Sequence, residues 1–183
     1  IEDAAHAHGC SIDGHPAGSL GYAAGFSMFP TKVLTTGEGG VLTTSNDELY
    51  HRALIIRNQG KNPSHGGAIT ELGHNFRISE FTALIGVRQL EKASYIIKDR
   101  QRAAHYYDKE LPSIEGVSPL KLPPNTTSSY YKYICYLHPD INRSELKTIM
   151  RETFGVSLTG EVYASLCHEE PVWESYTYCG NPK

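Results

Sequence analysis

The 183-residue sequence predicts an α/β fold with a small α+β unit at its C-terminal end, and three observations carry that expectation. Residues 1 to 60 alternate short β-prone pieces with glycine turns and then pass into a capped helix. A helical pattern of about 30 residues opens at Ser79 and holds its apolar period throughout. Beyond a proline-rich stretch the chain returns to strand, helix and strand. Strands that feed capped helices are the signature of packed α and β layers.

Taken in order, Ala24 to Phe29 and Gly40 to Thr44 read as strands, punctuated by turns at Asp13-Gly14 and Ser19-Leu20-Gly21. Asn46-Asp47-Glu48 gives a helix start, because a short polar side chain can accept from an unpaired amide of the first turn. The helix from Leu49 to Asn58 sets Leu49, Ala53, Leu54 and Ile56 near one face. Asn58 to Gly73 is a loop rich in Gly, Asn, Ser and His, longer than most connections and so expected to be functional or mobile. Ser79-Glu80 opens the long helix, with Phe81, Leu84, Ile85, Leu90, Ile97, Ala104 and Tyr107 among its apolar positions. Its length would let it bridge two domains. Prolines 112, 119, 123 and 124 punctuate the next segment, and Tyr130 to Leu137 reads as a tyrosine-rich strand. Asn142-Arg143-Ser144-Glu145 starts a helix that Gly155 closes, and Val156 to Val162 reads as a further strand.

Charge and composition narrow the function. Seventeen Lys and Arg stand against 20 Asp and Glu, a formal charge of −3, and the basic residues are dispersed among acids. That lacks the footprint of a nucleic-acid binder. No apolar run approaches the roughly 20 residues of a membrane span, so the expectation is a cytoplasmic protein without a membrane partner. Cys10, Cys135, Cys167 and Cys179 are scattered, as reduced thiols would be. The chain opens on Ile1-Glu2-Asp3 and stops at Gly180-Asn181-Pro182-Lys183, which suggests a fragment of a longer protein.

Three local patterns can carry chemistry. In Glu2-Asp3-Ala4-Ala5-His6-Ala7-His8-Gly9, Asp3 and His6 come just after a strand end, where ligands bind in open α/β sheets. They serve equally as turn hydrogen-bonding groups, and Asp3, His6 and His8 together are chemically able to ligate a metal. In Phe26-Ser27-Met28-Phe29-Pro30-Thr31-Lys32, the lysine sits between apolar residues without a neighbouring acid. Desolvation favours the free amine, which attacks carbonyls, although a surface lysine beside a glycine turn reads the same way. Ser27, Thr31, Thr35 and Thr36, with the amides of Gly37-Glu38-Gly39-Gly40, offer donors for a phosphate. The third, Gly73-His74-Asn75-Phe76-Arg77-Ile78-Ser79-Glu80, leads into the long helix and is suited to capping. An amine, a carboxylate 29 residues upstream to keep a pyridine nitrogen protonated, and hydroxyls for a phosphate make the inventory of pyridoxal phosphate chemistry.

These three motifs, in this order and spacing, resemble those of the DegT/DnrJ/StrS sugar aminotransferases, members of the fold-type-I pyridoxal-phosphate enzymes. Gly155-Val156, Tyr163 and Cys167-His168-Glu169-Glu170-Pro171 resemble the family's C-terminal pattern, so the likeness spans nearly the whole chain. The resemblance implies pyridoxal 5'-phosphate as cofactor, Lys32 as its Schiff-base lysine and Asp3 as the partner of the pyridinium nitrogen. It implies that His6 lies near the cofactor's phenolic oxygen, Ser27 at its phosphate, and Asn75 at the phosphate of a neighbouring subunit's cofactor, hence a homodimer. Arg77 is assigned only a substrate or structural role. The substrates implied are an amino-acid donor, glutamate by family analogy, and a keto-sugar acceptor, usually nucleotide-linked. Some relatives carry histidine in place of the lysine and act as dehydratases, so Lys32 favours amino transfer. The fold implied is part of a fold-type-I large domain, a mixed sheet with helices over residues 1–90, followed by a small α+β domain over 91–183. Relatives carry a preceding stretch with a phosphate-binding turn and a stacking aromatic ring, so the chain alone is expected to hold an incomplete site. Two other readings compete with this one: a catalytically silent relative, and a metal-dependent hydrolase built on Asp3, His6 and His8.

Overall fold

The computed structural model describes residues 1–158 and 166–175. The chain divides into two compact units, Ile1–Leu137 and His138–Lys183. In the first, strand β1 (Glu2–Asp3) lies parallel to β4 (Ala24–Ser27), with Glu2 opposite Ala24 and Asp3 opposite Gly25. β5 (Gly40–Thr43) pairs antiparallel on the far side of β4, bringing Gly40 opposite Ser27. The sheet is therefore mixed, in the order β1-β4-β5. The Glu2 carboxylate accepts from the amides of Gly18, Leu20 and Gly21 at 2.7–2.8 Å, tying the loop ahead of β4 to β1. Those amides hold the Glu2 carboxyl below its ordinary range.

A second sheet joins distant parts of the chain. β2 (Ser11–Ile12) pairs with β3 (His15–Pro16) and with β9 (Thr126–Thr127), and in the second pairing Ser11 faces Thr127. The fully buried Ser129 extends this junction, donating from its amide to Cys10 Sγ at 3.4 Å. β8 (Val117–Pro119) and β10 (Cys135–Leu137) form an antiparallel pair in the same unit.

The helices form where the capping chemistry places them. Asn46 Oδ1 accepts from the Leu49 amide at 2.7 Å to open α1 (Asp47–Arg57). Ser79 caps the 31-residue α2 (Glu80–Glu110), its hydroxyl accepting from Thr82 N. A helix of that length runs about 46 Å. α2 presents a row of anchors to the rest of its unit. Gly86 is buried with the Thr36 methyl against it, and Gln89 Oε1 accepts from Thr35 N. Ile97 fills the space beside Gly9, whose left-handed backbone (φ +72°) leaves no room for a Cβ there. Arg100 donates to the carbonyls of Tyr130 and Tyr131 and Gln101 to that of Ser128, and Ala104 is buried. The buried side chains Ala4, Ala24, Met28, Val33 and Leu34 gather at the end of the mixed sheet, beside the turn that carries Lys32.

The second unit contains α3 (Arg143–Phe154), opened by Asn142, whose Oδ1 accepts from Ser144 N and Glu145 N. Gly155 closes it in the left-handed conformation (φ +66°). Cys167–Glu169 makes a single tight turn. Among the described residues no helix is long and apolar enough to cross a membrane.

Three expectations are corrected. Tyr130 to Leu137 is strand only at Cys135–Leu137, because Tyr130 is left-handed (φ +49°) and the carbonyls of Tyr130 and Tyr131 are occupied by Arg100 rather than a ladder. The segment from Asn58 to Gly73 is an ordered hairpin, β6 (Lys61–Asn62) with β7 (Ala68–Ile69), closed by a turn over Pro63–His65. At its base the backbones of Gly60 and Gly73 approach so closely that a Cβ on either would strike the other strand. Val156–Leu158 is not in a strand, and residues 159–162 of that expected strand, with Tyr163 and Cys179, lie outside the described residues.

Candidate active site

The parallel pairing of β1 with β4 puts the carboxyl ends of two neighbouring strands side by side, and the candidate residues leave from there. Asp3 ends β1, and its Oδ1 accepts from Ala5 N at 3.2 Å in the turn that carries His6. Ser27 ends β4, and its Oγ accepts from Phe29 N at 3.4 Å. The chain then turns through Pro30 to Lys32, whose amide donates to the Phe29 carbonyl at 3.0 Å. This turn is knitted from behind. Met28 O accepts from Thr36 N and Thr35 Oγ1, and Thr35 Oγ1 in turn accepts from Gly37 N. Lys32 is thus half-buried on a fixed turn whose apolar neighbours Val33 and Leu34 are buried.

Tyr131 completes the cluster, and nothing in the sequence motifs pointed to it. Its ring lies under the Lys32 ammonium, with Nζ 4.9 Å from the ring centroid. The same ring packs against His6 at 4.1 Å between centroids, tilted by 31°. Its hydroxyl is 3.0 Å from Thr31 Oγ1. A signal was available in the tyrosines at 130, 131, 133 and 136, but that density reads as a strand. Behind Tyr131, a cavity of about 270 Å³ is lined by His6, Leu122, Tyr130, Tyr133 and Ile134 among others. Tyr133 donates to Asp108 Oδ1 at 2.6 Å, and burial followed by that carboxylate pushes its phenol well above the ordinary range.

The electrostatics agree with the geometry. Burial, and then the Lys32 charge, push the His6 imidazole below the ordinary histidine range, while Asp3 pulls it up and Lys132 pushes it further down. His6 is therefore neutral at pH 7 and sits within the fields of both Lys32 and Asp3. His8 is 6% exposed, lies 5.4 Å from the Phe26 ring and, among the described residues, has no hydrogen-bond partner for either ring nitrogen. Burial pushes it down as well, with Lys32 and His6 adding to the shift.

The structure thus brings Asp3, His6, Ser27 and Lys32 to one end of the sheet. Asn75 and Arg77 sit beside Asn58. The Asn75 backbone bridges Asn58 at the end of α1, Arg77 donates to Asn58 Oδ1, and the rings of His74 and Phe76 stack at 4.7 Å. Among the described residues Asn75 makes no side-chain bond to the Lys32 cluster, so within one chain it is not part of that group. The metal set of Asp3, His6 and His8 is not assembled: among the described residues no three His, Cys, Asp or Glu side chains converge as ligands. His168 sits in the Cys167–Glu169 turn of the second unit.

The residues present fit pyridoxal phosphate. Among the described residues Lys32 Nζ makes no hydrogen bond or ion pair and faces only a ring, so its amine is free to react. Asp3 and Ser27 each keep unspent capacity, since the bond each makes is to a backbone amide. A neutral imidazole lies within the influence of both the carboxylate and the amine.

Comparison with known proteins agrees. The sequence matches the DegT/DnrJ/EryC1/StrS aminotransferase family over residues 1–181. It is 30% identical over 183 residues to the UDP-4-amino-4,6-dideoxy-N-acetyl-beta-L-altrosamine transaminase of Campylobacter jejuni, covering 97% of this chain and 46% of that protein. A DegT DnrJ EryC1 StrS aminotransferase from Brucella abortus superposes with a TM-score of 0.84 at 25% identity, over 97% of this chain and 46% of that one. A Streptococcus pneumoniae protein solved in a PLP-form superposes with a TM-score of 0.73 at 26% identity, over 85% and 41%. The chain spans under half the length of these relatives. With a mixed α/β fold shared with known aminotransferases and a motif match along almost its entire length, the chain belongs to the DegT/DnrJ/EryC1/StrS aminotransferase family.

Proposed function

We propose that this chain carries the lysine-bearing part of a pyridoxal-phosphate-dependent aminotransferase, which moves an amino group from an amino acid, glutamate by family resemblance, to a keto-sugar. The acceptor is nucleotide-linked, as in the name of the Campylobacter relative. The observation that carries the reading is the placement of Asp3 at the carboxyl end of β1 and of Lys32 on the turn that follows the adjacent β4, with neutral His6 under the influence of both. In the whole protein, residues 1–90 belong to the large cofactor domain and 91–183 to the small C-terminal one. The enzyme is a cytoplasmic homodimer. Apolar side chains that α2 leaves exposed, including Phe81, Leu84 and Leu90, support further protein packing there.

The bound cofactor supplies an aldehyde and an electron-withdrawing ring. This chain's residues do the rest. Lys32 would hold that aldehyde through its amine and, when its amine is free, would take up or give back a proton at the donor's α-carbon. Asp3 would hold the ring nitrogen of that group protonated. His6, uncharged, would offer it a ring nitrogen without adding a competing positive charge. Ser27 would donate from its hydroxyl to the phosphate, and Asn75 would reach the phosphate in the partner subunit's site.

The test treats the whole protein with pyridoxal phosphate, reduces it with borohydride and maps the adduct. The expected result is a pyridoxyl group on Lys32 and an absorbance change on adding glutamate. An adduct on another lysine, or none, would falsify the reading.

A further inference from the structure

We propose that Tyr131 is a positioning residue of this site: its ring is the seat on which the Lys32 amine and the His6 imidazole are held in register, and Arg100 on α2 is its anchor. The inference rests on the reading of Lys32 given above. Four observations converge on it. The ring face is 4.9 Å from Lys32 Nζ, and the same ring meets the His6 imidazole at 4.1 Å. The hydroxyl is fixed at 3.0 Å from Thr31 Oγ1, one residue before the lysine. The backbone beneath is clamped, with Arg100 Nε and Nη2 donating to Tyr130 O at 3.0 and 2.7 Å and Nη2 to Tyr131 O at 2.8 Å. The neighbouring residue, Tyr130, is held left-handed at φ +49°, a conformation a bulky side chain adopts only when its surroundings impose it. Gln101 bonding Ser128 O, and Ser129 buried against Cys10, supply that constraint.

The chemistry explains why a ring suits this place. A nucleophilic lysine needs a resting position that neither leaves it loose nor locks it. An ion pair with Asp3 would hold the amine and also consume the carboxylate the cofactor needs. A ring face attracts the ammonium and loses that attraction once the amine gives up its proton. The seat therefore releases the nucleophile at the moment it becomes reactive. The charged and titratable groups acting on this spot are Asp3, His6, His8 and Lys132, and Lys132 Nζ lies 5.8 Å from the centroid of the same ring.

The experiment uses the whole protein freed of cofactor. Pyridoxal phosphate is added, samples are reduced with borohydride at intervals, and peptide mass spectrometry tracks the adduct on Lys32, with melting temperature recorded alongside. Tyr131→Phe, which keeps the ring, is expected to match the parent's time course within about twofold, and Tyr131→Leu to lag roughly tenfold. Equal rates in all three proteins overturn the proposal, and so does a Phe variant as slow as the Leu variant. Absence of any Lys32 adduct in the parent overturns the functional reading and the positioning role with it. A second measurement needs no variant fold: after reductive ¹³C-methylation of the parent, the Lys32 methyl resonance is expected upfield of the exposed lysines through the Tyr131 ring current. A Lys32 signal coincident with theirs removes the seat, even where Lys32 is still the residue that reacts.

Discussion

Arg100 holds Tyr130 in a left-handed backbone conformation, donating to its carbonyl from both Nε and Nη2 across 30 residues of sequence. A planar fork is needed, because two donors must meet one oxygen while a third bond goes to Tyr131 O. Arg100→Lys keeps the charge and loses the fork. The expected cost is about 1–3 kcal/mol in urea unfolding, with the Lys32 adduct forming more slowly although Lys32 is untouched. A variant as stable as the parent would show the clamp to be incidental.

Asp3 and Lys32 separate into different roles in one assay. Asp3→Asn is expected to leave the borohydride-fixed adduct on Lys32 in place while lowering kcat roughly a hundredfold, since the amide cannot keep a ring nitrogen charged. Steady-state kinetics beside adduct mapping distinguishes the two, and an unchanged kcat would remove Asp3 from the chemistry.

Asn75 bridges Asn58 through its backbone, and its proposed action across subunits is measurable. Lys32→Ala and Asn75→Asp chains, each inactive alone, are refolded together in equal amounts. Half of the dimers then pair one of each, and each of these holds a single intact site if Asn75 serves its partner, so about a quarter of parental activity returns. No recovery is expected if Asn75 acts within its own chain.

Acid should weaken the fold through His8 first. Among the described residues its ring is buried without hydrogen-bond partners, and its folded pKa lies below the ordinary value of about 6.5. Above that value both folded and unfolded chains leave it neutral and it contributes no pH dependence. Below it the unfolded chain takes up the proton more readily, so stability falls as pH falls. His8→Leu is expected to flatten the stability profile below about pH 6.5 and to raise stability near pH 7 by about 1 kcal/mol, by replacing a polar ring without hydrogen-bond partners among the described residues. Urea titrations at successive pH values check both, and parallel profiles for the two proteins would contradict the assignment.

Legibility in the sequence depends on how local each signal is. Asn46, Ser79, Asn142 and Gly155 sit where the helix ends need a side-chain acceptor or a left-handed residue, and the structure uses each so. The mixed-sheet strands are legible because turns bracket them. Ser27 and Lys32 are visible as a motif within one short turn, and Asp3 and His6 within another. Tyr131 is not, because it is 99 residues from Lys32 and arrives only through the pairing of β2 with β9 and the grip of α2. The same long-range grip explains the strand expected at Tyr130: β propensity runs against a backbone whose carbonyls are claimed by a helix 30 residues earlier. The hairpin over residues 61–69 escapes notice because two-residue strands carry no alternating pattern to detect.

α2 touches the lysine turn through Gly86 and Gln89, Gly9 through Ile97, and the Tyr131 clip through Arg100 and Gln101. Each added or deleted residue rotates everything downstream by about 100°. Substitutions on the solvent side of α2 are therefore free to accumulate during divergence, but a one-residue indel between Gly86 and Arg100 would swing the guanidinium to the wrong side and dismantle a site more than a dozen positions away. Among homologues that keep this active site, that stretch should vary in spelling and hold constant in length.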